Sequence, residues 1–293
     1  MFSFISFYQN IPLHVRPEIF NGLPIRWYSL AYIVAFALVI ILTHHRRKTE
    51  SKYKNYNQKV VDDALTYIVI GTILGARLGF VLFYDPGYYL SNPLEIFLPF
   101  SMADGFHFTG ISGMSYHGGV IGIPLILFYY CRTRRLPFTH FIEMFIPTVP
   151  IGYMFGRIGN FMNGELYGRI TNVPWGMYFY QYAGSIKKPY PFLRHPSQLY
   201  EAFFEGLILF LILWLPRKKI NTNGYLTAMY LGGYGIFRFI IEFFREPDDL
   251  FKNPGNAAGT VIGMFTMGQV LCVLMIISAV SIFMYSKKKR YRK

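Results

Sequence analysis

The sequence predicts an all-α integral membrane protein with seven transmembrane helices, the N-terminus outside and the C-terminus cytoplasmic, and a small extracytoplasmic cap at about residues 160–198. Three observations carry that expectation. Of the 293 residues, 53% are hydrophobic and 19% aromatic, while only 15% are charged. The apolar residues recur in blocks of about 17–25, the length that crosses a bilayer as helix. The net charge of +14 is gathered in short basic clusters between those blocks. That is the pattern of loops lying against anionic membrane lipids, not of a nucleic-acid-binding face. The chain reads as a single membrane-embedded domain over residues 1–293.

Residues 1–26 carry Pro12, Pro17 and Pro24 and read as a looped or amphipathic lead-in outside the membrane. The first span runs from about Trp27 to Thr43, and His44-His45-Arg46-Arg47-Lys48 follows it. A cleaved signal peptide carries its positive charge before the apolar stretch, so this is a retained helix. Later spans are expected at about 64–84, 117–131, 141–159, 199–215, 225–243 and 261–285. With the N-terminus outside, the inner segments 44–63, 132–140, 216–224 and 286–293 hold 18 of the 29 Lys and Arg residues, and this excess sets the orientation. The outer segment 85–116 is rich in proline and glycine. The other long outer segment follows directly from a polar stretch and forms the cap. Cys131 and Cys272 lie in or beside apolar runs and read as packing residues rather than a disulfide or a metal site.

That polar stretch is Gly156 to Arg169, with two arginines, two asparagines, one glutamate and four glycines in fourteen residues. Arg157 stands where a helix reaches the far interface. An ionisable group inside a span must face protein, a partner or water, which makes it a functional candidate. Glycines let backbone approach a ligand closely, and a guanidinium offers a planar fork suited to phosphate. The stretch therefore reads as an anionic headgroup site at membrane depth. The alternative is a glycine-rich helix end whose arginines pair with a carboxylate for stability. A fainter echo, Gly71-x3-Gly75-x-Arg77-x-Gly79 against Gly152-x3-Gly156-Arg157-x-Gly159, suggests similar helix packing.

Further constellations stand beside it. His117, in Gly113-Met114-Ser115-Tyr116-His117-Gly118-Gly119, opens the third span and can exchange a proton near neutral pH. Equally, it can be a hydrogen-bonded interface histidine. Arg238, Glu242 and Arg245 are spaced by four and three residues, hence on one helical face, either as a self-compensating ion pair or with Glu242 holding Arg238 toward a ligand. In Arg194-His195-Pro196-Ser197-Gln198-Leu199-Tyr200-Glu201, helix capping explains most of the polar residues. Arg77 lies in the second span, and Tyr28 reads first as an interfacial belt aromatic. The motifs of serine hydrolases, zinc proteases and ATP-driven pumps are absent from the sequence. An anion or lipid transporter remains the competing class, because intramembrane arginines also line transport pathways.

Gly156–Arg169 resembles the signature of the prolipoprotein diacylglyceryl transferases. Tyr28 in Arg26-Trp27-Tyr28, Gly75 to Gly79, Gly113 to Gly119, Arg194 to Glu201 and Tyr234 to Pro247 resemble family segments in the same order. The resemblance covers about residues 20 to 285. It implies transfer of the diacylglyceryl group of phosphatidylglycerol to the lipobox cysteine of preprolipoproteins at the extracytoplasmic side of the bacterial inner membrane, with no metal or soluble cofactor. Membrane lipids are then substrate as well as solvent. It implies that Arg157 binds phosphatidylglycerol, that Arg238 is essential and that Tyr28, His117, Asn160 and Glu165 matter. Chemistry then casts His117, Arg238 and Tyr28 as catalytic and Asn160 and Glu165 as further phosphatidylglycerol contacts. His117 is the base unless the cationic site itself lowers the thiol pKa. Arg77, Tyr234, Glu242 and Arg245 are supporting residues in this reading, and Glu165 is expected to hold an arginine fork in place. Gly168 also falls on a family position. Residues 104–112 form an extension before the His117 block that family members usually lack, and it adds His107.

Overall fold

The computed structural model describes residues 4–20, 26–83, 86–98, 100–101, 107–108, 115–183, 186–247, 256 and 259–291. The chain forms two compact units, residues 1–46 with 143–293, and residues 47–142. Helices stand at each position where the sequence predicts a span: α1 (Trp27–Thr49), α2 (Gln58–Phe83), α3 (Tyr116–Thr133), α4 (Val149–Asn163), α5 (Ser197–Trp214), α6 (Tyr225–Ile241) and α7 (Met267–Tyr291). Among the described residues, α1, α2, α5 and α7 are long and apolar enough to cross a membrane. The protein is predominantly helical and of membrane character.

Three departures from expectation have local causes. The span expected at 141–159 is interrupted: a short helix, Phe138–Ile142, and a 3-10 turn, Ile146–Thr148, precede α4. Pro147 and Pro150 occupy first-turn positions, the place where a missing N–H is tolerated, and each therefore starts an element. The span expected from 261 opens as a hairpin, Thr260–Ile262 with Phe265–Thr266. Gly263 turns it at φ +57°, and Thr266 with Gln269 then forms a reciprocal capping box that starts α7. Two more short ladders, Phe100–Ser101 with His107–Phe108 and Tyr180–Ala183 with Ile186–Pro189, add strands to the expected all-α fold.

In the first unit, α1 carries small residues at a spacing of four. Ala31 and Ala35 are buried, and they meet the glycine face of α4. A Cβ on Gly159 would stand 3.2 Å from both Ala31 Cβ and Tyr28 Cδ2, and one on Gly152 would lie 3.1 Å from Val39. Arg46, at 0% exposure, donates to the carbonyls of Glu143 and Met144 at 2.6 and 2.7 Å. The Glu143 carboxylate in turn accepts from Gly224 N and Thr227 N at 2.7 and 3.2 Å, which places a negative charge at the positive end of α6. One arginine of the basic cluster after the first span is thus a buried internal pin rather than a lipid-facing charge.

The second unit is built on a tighter seam. Gly71, Gly75 and Gly79 of α2 face Gly118 and Gly122 of α3: a Cβ on Gly79 would stand 2.6 Å from Gly118 Cα, and one on Gly122 only 2.8 Å from Gly75 Cα. The two glycine echoes of the sequence are therefore both packing seams, one for α1 with α4 and one for α2 with α3. Because the obstructing atoms are backbone, Gly122→Ala should lower stability by about 1–3 kcal/mol, read as a reduced Tm in detergent. Gly87→Ala, where nothing stands within 4 Å, should leave Tm unchanged.

Candidate active site

The charged centre of the candidate site lies within the first unit and is organised on Glu201, near the start of α5. Glu201 is 0% exposed. Its Oε2 lies 2.6 Å from Arg157 Nε of α4, and its Oε1 lies 2.6 Å from Arg245 Nη1 and 3.4 Å from Arg238 Nη1. A lone buried carboxylate would be strongly disfavoured; three guanidiniums offset its desolvation, and it offsets theirs. Glu242 is the second carboxylate. Its Oε2 is 3.2 Å from Arg238 Nη2 and 3.4 Å from Arg245 Nε, and its Oε1 accepts from the Thr266 hydroxyl at the start of α7. Gly268 leaves room for that carboxylate: a Cβ there would stand 2.6 Å from Glu242 Oε1.

Backbone features bring these side chains together. Residues Ala202–Ile208 of α5 are a π-helical segment, a geometry that recurs at functional sites. Within it Gly206 packs on Met154, where a Cβ would be 2.6 Å from Met154 Cβ, so α4 and α5 approach closely enough for Tyr153 and Arg157 to reach Glu201. Gly164, at φ +70°, closes α4, its N–H bonding to Phe161 and Asn160 carbonyls. Leu166 also sits in the left-handed region, at φ +58°, a costly conformation for a branched side chain. Ser197 and Gln198 hold the strained loop by donating to the Leu166 and Glu165 carbonyls at 3.1 and 2.6 Å. These two side chains therefore do not cap α5, whose N-cap is Pro196 with no side-chain cap bond.

Around Arg157 the remaining expected residues fall into a chain. Arg157 Nη1 donates to Asn160 Oδ1 at 3.3 Å, and Asn160 Nδ2 donates to Glu165 Oε1 at 2.8 Å. Glu165 thus reaches the guanidinium through an amide; the carboxylate that holds the arginine fork is Glu201. The Arg157 guanidinium lies 4.8 Å above the Tyr153 ring, and Tyr234 meets that ring edge-on at 5.8 Å. Tyr28, on the α1 face that packs against Gly159 of α4, bonds Tyr32 through hydroxyls 3.1 Å apart. Arg77 belongs to the second unit, where it donates to the Glu95 and Ile96 carbonyls, both at 2.6 Å, and stacks over Tyr89. His117 is the second residue of α3; its side chain, and residues 104–106 and 109–112 of the extension before it, lie outside the described residues.

The cap is sewn to this centre. Gly168 N donates to His195 O, Arg169 N to Phe244 O, and Arg169 Nε to Arg245 O. Gly168 is obligatory for packing, since a Cβ would lie 2.9 Å from His195 Cβ and collide with the Phe244 carbonyl. Arg194 donates to Gly168 O and Glu246 Oε2 and lies 4.0 Å from the Tyr190 ring centre. Phe161, Met177 and Phe179 form the cap's apolar core with Tyr8 and Ile11 of the lead-in. Glu201, Glu205 and Tyr153 were not singled out from sequence as site residues; the available signal was a pair of glutamates four apart inside an apolar span.

Removing the hub should uncouple all three arginines. Glu201→Gln is expected to destabilise the protein by about 3–5 kcal/mol, as loss of one partner does in buried ion pairs, seen as a lower Tm in detergent. Burial pushes the His195 imidazole below its usual range. The unfolded chain then takes up a proton near pH ~6.5 while the folded chain resists it. Stability contributed by His195 is therefore retained above that pH and lost as pH falls through it. His195→Gln should flatten this limb in melting curves recorded between about pH 7 and pH 5.

Comparison with known proteins completes the picture. The family model for prolipoprotein diacylglyceryl transferase matches residues 17–285. A Chlorobaculum tepidum protein named phosphatidylglycerol–prolipoprotein diacylglyceryl transferase is 45% identical over 292 residues, covering 99% of this chain and 96% of its own. Relatives of the same name from Bordetella avium and Campylobacter jejuni are 42% and 40% identical, each covering 98% of this chain and 99% of its own. A match of this extent, over all the segments that build the arginine centre, establishes that the chain belongs to the prolipoprotein diacylglyceryl transferase family.

Proposed function

We propose that this protein transfers the diacylglyceryl group of phosphatidylglycerol to the lipobox cysteine of a preprolipoprotein and releases glycerol phosphate, the first step of lipoprotein maturation. One observation supports this reading above the others: three guanidiniums converge at 0% exposed Glu201. In the reaction the thiol sulfur bonds to the glyceryl carbon, the bond from that carbon to the phosphate oxygen breaks, and the thiol proton is taken up by a base. Negative charge gathers on the departing phosphate, where Arg157 and Arg238 stabilise it from positions fixed in advance. Asn160, steadied by Glu165, and Tyr28 orient the headgroup. Arg245, Glu242 and Tyr234 hold the arginines; Arg77 supports α2. A cysteine thiol with pKa ~8.5 must lose its proton to attack, and His117 is the proposed acceptor on the strength of imidazole chemistry and the family resemblance.

The same reading includes seven spans in one membrane-embedded domain, with the N-terminus outside, the C-terminus inside and residues 160–198 as an extracytoplasmic cap on the bacterial inner membrane. The excess of Lys and Arg in the alternate segments supports it. Arg157→Ala and Arg238→Ala should each lower lipidation of a lipobox peptide by at least about 100-fold, the scale of losing one preorganised donor. The assay is mass spectrometry of the peptide after incubation in phosphatidylglycerol proteoliposomes. Full turnover in both variants, or transbilayer movement of labelled lipid without its consumption, would contradict the assignment.

A further inference from the structure

Glu205 lies in the π-helical segment of α5, four residues after Glu201, and is likewise 0% exposed. Its Oε2 lies 2.5 Å from the Tyr153 hydroxyl, and the same hydroxyl lies 3.2 Å from Glu201 Oε2. Glu205 Oε1 is buried with no hydrogen-bond partner, and among the described residues no cation pairs with Glu205. A hydroxyl carries one proton and cannot donate to two carboxylates. Glu201 is ionised, because three arginines face it. A second ionised carboxylate here would be a buried charge without an ion pair, the costliest arrangement available. The charged and titratable groups around Glu205 are Tyr153 and Arg157 on α4, Glu201 on its own helix, Arg238 on α6 and Cys272 on α7.

We infer that Glu205 is a neutral carboxylic acid that donates to Tyr153, so that Tyr153 donates to Glu201, and that this proton sets the charge of the phosphate site. With Glu205 neutral, the three guanidiniums of the ion-pair cluster stand against two carboxylates, Glu201 and Glu242, Glu165 reaching the cluster only through the Asn160 amide. One positive charge remains, matched to the single negative charge of a phosphodiester. An ionised Glu205 would cancel it and leave the centre indifferent to an anion. Glu205 is thus a positioning and charge-setting residue acting through Tyr153 and Glu201. Its role at a phosphate site rests on the transferase reading; its proton does not.

Infrared spectroscopy of the full-length protein in detergent tests the proton directly. The wild type should show a protonated-carboxyl C=O band that Glu205→Gln removes. In the lipidation assay, Glu205→Ala, which keeps the charge but removes the donor to Tyr153, should raise KM for phosphatidylglycerol at least tenfold with kcat changed less than threefold. Glu205→Gln, neutral and still able to donate to Tyr153, should bring KM back to within threefold of wild type. A wild-type spectrum unaltered by Glu205→Gln, or Glu205→Gln as impaired as Glu205→Ala, would overturn the inference. Should Glu205→Ala fail to fold, the spectrum and the Glu205→Gln kinetics still decide. A wild type with the band but without thiol lipidation would instead sink the transferase reading.

Discussion

The buried carboxylate of Glu201 is the contact on which the rest of the centre depends. Arginine at membrane depth is unfavourable unless it is paired or hydrated, and a carboxylate at 0% exposure is unfavourable unless several donors face it. Neither side of this cluster would be stable without the other. Arg157 comes from α4, Arg238 from α6 and Arg245 from the turn after α6, all meeting one residue of α5. The contact that stabilises the bundle is therefore the one that aims the guanidiniums. On the proposed function, the two roles the sequence leaves open, structural ion pair and anion site, coincide in the same atoms.

That coincidence requires close helix approach, which the backbone supplies by omission of side chains. The glycine face of α4 lets it lie against Ala31 and Tyr28 of α1, and Gly206 lets α5 lie against Met154. Glu201, just before the π-helical segment, and Glu205, within it, both reach the Tyr153 hydroxyl. Beyond the helix ends, the strained Leu166 is held by Ser197 and Gln198, and the cap joins the strand-like segments at 168–170, 194–195 and 244–245. Rigid positioning of this kind lets fixed charges act on a reacting phosphate without reorganising during the reaction.

Much of this was legible in the chain. The helix positions followed from apolar block length, and the Arg238–Glu242–Arg245 group from spacings of four and three on one helical face. Arg157 stood out because a guanidinium ends an otherwise apolar run. Glu201 did not, because the span expected from about 199 puts it in a helix first turn, where a carboxylate already has a sufficient local explanation; the helix in fact starts at Ser197. Its partners lie 37 and 44 positions away on the far side of loops and another helix, and the pairing is a tertiary fact. The interruption before α4 was written in Pro147 and Pro150 but hidden by the apolar residues around them. The short ladders were similarly masked, having only two to four residues per strand. Helix-period arguments cannot reveal a π-helical segment at all, since its sequence reads as ordinary helix.

The central claim is that the arginines held by Glu201 grip a phosphodiester. A cryo-electron microscopy structure of the protein in nanodiscs containing phosphatidylglycerol would test it most directly. The account predicts phosphate density within hydrogen-bonding distance of both Arg157 and Arg238, with the Glu201 ion pairs intact. Phosphatidylglycerol bound with its phosphate away from both guanidiniums would contradict it.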